Sequence, residues 1–70
     1  LAFGTGDASG YRTVTHGAGF TPAVVTGSID APFRIGFTNF TSTTFSLQIV
    51  QTDGTGYPSL TGTVYVFLAE

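Results

Sequence analysis

A chain of 70 residues with no cysteine and one histidine, His16, has room for one domain and can build neither a disulfide framework nor a single-chain zinc site. Only 9% of the residues are charged, Arg12 and Arg34 against Asp7, Asp30, Asp53 and Glu70. A net charge of -2 without lysine argues against nucleic acid and anionic membrane partners, both of which need clustered cations.

In chain order, Leu1 to Phe3 is a short strand candidate, followed by a turn-rich run, Gly4-Thr5-Gly6-Asp7 with Ser9-Gly10. Tyr11 to Thr15 is the next candidate. The glycine-broken turn Gly17-Ala18-Gly19 then leads through Pro22 into an apolar strand start, Ala23 to Ile29. After Asp30-Ala31-Pro32, residues Phe33, Ile35 and Phe37 alternate with Arg34, Gly36 and Thr38. Beyond the turn Asn39 to Thr43, residues Phe45, Leu47 and Ile49 alternate with Ser46, Gln48 and Val50. Each of these two runs reads as a strand with one buried face. Asp53-Gly54-Thr55-Gly56 is another turn. In the last run, Val64 to Ala69, both alternating sets are apolar, which predicts burial on both sides, against the core and against a second sheet or a neighbouring subunit.

No apolar set recurs at helical spacing, so five or six short strands imply an all-β fold, a small antiparallel β-sandwich. The run Val64 to Ala69 is far short of the roughly 20 residues that span a bilayer, and membrane insertion is not expected. The two Gly-Thr-Gly stretches at 4–6 and 54–56 are recurrent turn chemistry, because the strands beside them do not match. The absence of methionine, with Leu1 first, suggests a piece of something longer.

A domain this small buries only about 60% of the surface of its unfolded chain, and ordering costs of roughly 1.5 kcal/mol per residue nearly cancel the hydrophobic gain. With cysteine and metal excluded, association with identical copies is the remaining support. Thirteen threonines, five serines and ten aromatic residues make a neutral hydroxyl-rich surface, better suited to sugars than to ions.

The string His16-Gly17-Ala18-Gly19-Phe20-Thr21-Pro22-Ala23-Val24-Val25, followed by Thr41-Ser42-Thr43-Thr44-Phe45-Ser46-Leu47, Asp53-Gly54 and an aromatic-rich final strand, resembles the small C-terminal β-domains of bacteriophage tail fibres and minor tail proteins. Those are similar to the H-type lectin fold, a six-stranded antiparallel sandwich that assembles as trimers. The resemblance covers Tyr11 to Glu70, making 1–10 a lead-in segment with an edge-strand candidate and 11–70 the lectin-like domain. Phe67-Leu68-Ala69 stands where such domains carry a Trp-x-Ala strand, and the chain has no tryptophan. The resemblance implies an extracellular virion component at a fibre tip, a homotrimer that attaches to a bacterial cell-surface glycan. A trimerising knob without ligand is the alternative.

Four residues are candidate ligand contacts. Arg34 offers fixed donors for sugar hydroxyls or for a carboxylate of a neighbouring copy. Tyr57, beside Asp53-Gly54, is an aromatic ring in a loop on which a sugar can stack, or else a cover over the end of the core. Tyr65 faces away from Val64 and Val66, toward a subunit contact or groove. Asp53 is the acidic member of the set, and equally an ordinary turn residue. His16 either meets its copies on a threefold axis as a metal or anion site, or satisfies a turn carbonyl. No enzyme and no cofactor are expected. Asp30 and Asp53 sit in turns of a domain too small for a catalytic cleft, no acidic triplet suits calcium, no serine lies in Gly-x-Ser-x-Gly, and no helix follows Gly-Thr-Gly to bind phosphate.

Overall fold

The computed structural model describes every residue from Leu1 to Glu70 and contains six strands and no helix: β1 Ala2–Phe3, β2 Tyr11–Thr15, β3 Val24–Ile29, β4 Arg34–Thr38, β5 Thr44–Val50 and β6 Gly62–Ala69. They form two three-stranded antiparallel sheets, in the orders β1-β6-β3 and β2-β5-β4. The strands fall where the alternation of side chains places them, with shifts at the ends: β6 starts at Gly62 rather than Val64 because Gly62 and Thr63 pair with β1.

Alternation decides what each strand buries. On the central strand β5, Phe45, Leu47 and Ile49 are fully enclosed between half-buried neighbours. Val14 of β2, Val64 of β6 and Phe3 of β1 complete the core, so the lead-in segment contributes one of its six members. Phe33, Ile35 and Phe37 are only half buried, since β4 is a sheet edge, but all three pack against the core.

One expectation fails within the single chain. Val64, Val66 and Leu68 face inward, but the other face of β6 is not covered by the second sheet, leaving Tyr65 52% and Phe67 66% exposed. The second sheet lies entirely on the Val64 side, where the core is.

The inward residues of β2, Arg12 and Val14, are continued just past its end by His16, so two of the three buried side chains are polar. Arg12 is only 5% exposed. Its guanidinium spends its donors on five backbone carbonyls: Nε to Gly4, one terminal nitrogen to Gly10 at 2.7 Å, and the other to Tyr57, Pro58 and Leu60. The cation also lies 5.6 Å from the centre of the Phe3 ring, a cation–π distance. Burial draws the Arg12 pKa down and the nearby Asp7 opposes the change; the group stays charged.

His16 is fully engaged as well. Nδ1 accepts from the Ala18 N–H at 3.0 Å, so the tautomer that completes the network carries its proton on Nε2 and donates to the Thr41 carbonyl at 2.9 Å. The ring stacks on Phe45 with an interplanar angle of 7°. Of the two roles expected for His16, the turn-carbonyl contact is present in the chain.

Where these segments meet, backbone touches backbone. A Cβ on Gly10, which has a φ of +87°, would lie 2.1 Å from the Ile49 oxygen, and one on Gly56 would lie 2.3 Å from the Ser9 carbonyl carbon. Only glycine allows the approach that puts five carbonyls around one guanidinium.

Arg12→Lys keeps a charge but not the planar fork, so it leaves several buried carbonyls unpaired. It is expected to lower the unfolding free energy by on the order of 2 kcal/mol, read as a lower urea midpoint at unchanged slope.

Candidate functional site

The outward residues of β2, β5 and β4 form a continuous polar face. Register places Tyr11 beside Gln48 and Gln48 beside Gly36 in one row across the sheet, and Thr13 beside Ser46 and Ser46 beside Thr38 in the next. Arg34 and Val50 form a third row at the far end. The first two rows border a groove of about 570 Å³ lined by Asp7, Tyr11, Arg12, Thr13, Thr38, Asn39 and Ser46.

Each wall has a local cause. Asp7 closes the turn before β2, its Oδ1 accepting from the Ser9 and Tyr11 N–H groups at 2.9 and 3.0 Å. That bond fixes the start of the strand and with it the exposed Tyr11 ring. Asn39 holds a left-handed backbone with φ 53°, which turns the chain out of β4 and brings its Nδ2 to 3.3 Å from Ser46 Oγ. Gln48 donates from Nε2 to the Ser9 carbonyl and so closes one side of its row. Gly36 contributes no side chain, and a Cβ there would touch nothing within 4 Å, so the middle of the face is open at backbone level.

The groove has two charged residues in its lining, Asp7 and the largely buried Arg12, whose charges offset, and is otherwise uncharged. The Thr13 and Thr38 hydroxyls, the Tyr11 phenol and the Asn39 side-chain carbonyl face it as donors and acceptors, beside one aromatic ring. Such a surface can pair with hydroxyl-bearing neutral ligands and stack against their C–H faces. No group of three or more His, Asp or Glu side chains comes together as a metal site.

The four candidate ligand residues are dispersed. Arg34 is exposed and shares the polar face, four residues along β4 from Thr38, or about 13 Å at strand rise. Tyr57 is half buried, its ring stacked on Phe33 at 4.5 Å and its carbonyl bound to Arg12, which makes it a cover for the end of the core. Asp53 closes its own turn through the Thr55 N–H at 2.9 Å. Tyr65 lies on the outer face of the other sheet, donating to Asp30 Oδ2 at 3.1 Å, at the rim of a smaller groove of about 180 Å³ that includes Phe3, Ile29 and Leu60. Asp30 and Asp53 therefore have separate partners. Tyr11, Thr13, Asn39 and Ser46 were not singled out from the sequence. Their one signal is parity, since they or their strand neighbours alternate with inward residues.

No family model, no curated protein and no solved structure matches the chain.

Two exposed groups should titrate away from their ordinary values. Hydrogen bonds from Thr55, backbone first and then hydroxyl, hold the Asp53 carboxyl below the usual carboxylate range. Its folded value lies below its unfolded one, so this contribution is complete above the ordinary carboxylate value and is lost as pH falls through the depressed one. The bond to Asp30, and then its charge, push the Tyr65 phenol up. That contribution is complete below the ordinary phenol value and is lost as pH rises through the raised one. Asp30→Asn is expected to shift the ultraviolet phenolate titration of Tyr65 toward lower pH, and an unmoved curve would mean the two side chains do not interact in solution.

Proposed function

We propose that this domain is a non-catalytic saccharide-binding module, the distal receptor-binding domain of a bacteriophage tail fibre or minor tail protein, acting as a homotrimer on a bacterial surface glycan. The observation that carries the reading is the neutral groove on the β2-β5-β4 face, with its hydroxyls, one amide and one exposed aromatic ring. Tyr11 stacks on a sugar ring. Thr13, Thr38 and Asn39 pair with its hydroxyls, and Arg34 reaches a further sugar unit or an acidic substituent along the strand. The fibre context and the H-type-lectin-like description rest on the resemblance of the His16–Val25 and Thr41–Leu47 strings and the aromatic final strand. A shallow site of this kind binds weakly, and three copies on one fibre raise avidity through effective concentration.

The second reading is a knob that registers three fibre chains and binds nothing. It is favoured by the uncovered apolar face of β6, with Tyr65 and Phe67 exposed.

A glycan array of bacterial-wall saccharides, probed with the purified chain, separates the two. The adhesin shows saturable binding that falls about tenfold in Tyr11→Ala, a change of about 1.4 kcal/mol, and less in Arg34→Ala. Tyr57→Ala lowers stability more than affinity. Absence of saturable binding leaves the knob, and binding unchanged by Tyr11→Ala and by Arg34→Ala removes the proposed groove.

A further inference from the structure

Two glycines stand in the middle of strands, Gly27 in β3 and Gly36 in β4. Glycine weakens a strand, and what accounts for it there is a bulge, a backbone angle closed to other residues, or something that comes close to the chain. Gly27 has its reason inside the molecule, because a Cβ there would run into the Tyr65 carbonyl oxygen of β6. Gly36 has none. The β4-β5 register runs unbroken from Arg34 opposite Val50 to Thr38 opposite Ser46, so there is no bulge. Its φ is not positive, and a Cβ would find nothing within 4 Å.

The surroundings of this gap are polar. Ile35 and Phe37 pack against the core, which turns Gly36 outward together with Arg34 and Thr38. Those two residues bound the gap along β4, about 13 Å apart at strand rise. Gln48 stands opposite on β5 but leans away, its amide donating to the Ser9 carbonyl on the β2 side of the sheet. At Thr38 the gap opens into the groove that Tyr11 lines, and at its other end stands Arg34, which is exposed. The other basic side chain, Arg12, is buried among carbonyls.

We propose that Gly36 is the floor of a second sugar subsite, and that the ligand is an acidic oligosaccharide of two or more units. One unit stacks on Tyr11, and the next lies over the bare backbone at Gly36 and turns a carboxylate or phosphate toward Arg34. The inference rests on the saccharide reading above and specifies its ligand. A glycine floor lets the flat face of a ring come down to the level of the peptide planes, which any side chain at this position would prevent. The arginine fork pairs two oxygens of either anion. Direction follows from charge. Asp7 lies on the β2 side of the face beside Tyr11, so an anionic unit is attracted at one end of the face and repelled at the other.

The test is an array of mono- and disaccharides, each in a neutral, a uronic acid and a phosphorylated form, probed with the purified chain and read beside urea unfolding. Disaccharides carrying either anion are expected to bind about tenfold more tightly than monosaccharides and about fivefold more tightly than neutral disaccharides. Gly36→Val fills the gap with a side chain that suits a strand, so the urea midpoint stays at or above the wild-type value while disaccharide affinity falls to the monosaccharide level. Arg34→Ala removes the preference for the anion and leaves neutral disaccharides bound as before. A lower urea midpoint in Gly36→Val and in Gly36→Ala alike makes the glycine a requirement of the fold and overturns the subsite. Disaccharide binding unchanged by Gly36→Val also overturns it, and leaves the Tyr11 groove standing if Tyr11→Ala still weakens binding. Equal binding of neutral and acidic disaccharides overturns the acidic ligand. A wild-type chain that binds no saccharide overturns both this inference and the reading beneath it.

Discussion

The fold depends on one cation. Arg12 stands at the start of β2 with its side chain inward, where a charge without partners would be excluded from so small a core. What makes it tolerable is that the adjoining turn at Gly4 and Gly10 and one remote stretch, Tyr57 to Leu60, turn carbonyls toward the same guanidinium. Those stretches are the crossings between the two sheets, which share only single backbone bonds, such as Gly6 N–H to the Pro58 carbonyl at 2.9 Å, and an isolated bridge between Val50 and Gly56. Arg12 thus ties the β1–β2 connection to the β5–β6 connection, and the glycines at 10 and 56 let the backbones come close enough for it to do so. A chain without disulfides or metal has in this residue a cross-link made of hydrogen bonds.

The same crossing sets up the polar face. Asp7 pairs with the turn that presents the Gly10 carbonyl to Arg12, and the bond that orders this turn also fixes Tyr11 outward at the head of β2. Interior and surface are therefore divided by parity along β2 and the residue after it: Arg12, Val14 and His16 hold the interior, while Tyr11 and Thr13 face the groove. The two sheets divide the remaining work. The β2-β5-β4 sheet offers hydroxyls and an amide to solvent, while the β1-β6-β3 sheet offers the exposed rings of Tyr65 and Phe67.

Period-two alternation carried most of the fold, because in a helix-free chain it marks both the strand and its buried side. Phe45, Leu47 and Ile49 could be assigned to the interior without knowing their partners. Arg12 could not, since its five acceptors lie up to 48 residues away and are backbone atoms with no residue signature. The groove was hidden for a related reason: Tyr11, Ser46 and Thr38 become neighbours only because β2 and β4 flank β5, and nothing in composition states that order. Arg34 is conspicuous in the sequence through scarcity, as one of two cations. Tyr57 and Asp53 stand out only by sitting in loops, and local contacts with Phe33 and Thr55 account for both.

Gly36 gives the polar face an adjustable floor. It sits mid-strand with no atom near the position a Cβ would take, so side chains of increasing size could rise from it without disturbing the layers beneath. Most positions that shape a recognition surface are also tied to the stability of the scaffold, and changing one disturbs the other. Here a single codon could redraw the contour of this face and leave the Arg12 cross-link intact, so surface shape and scaffold stability can vary independently at this position.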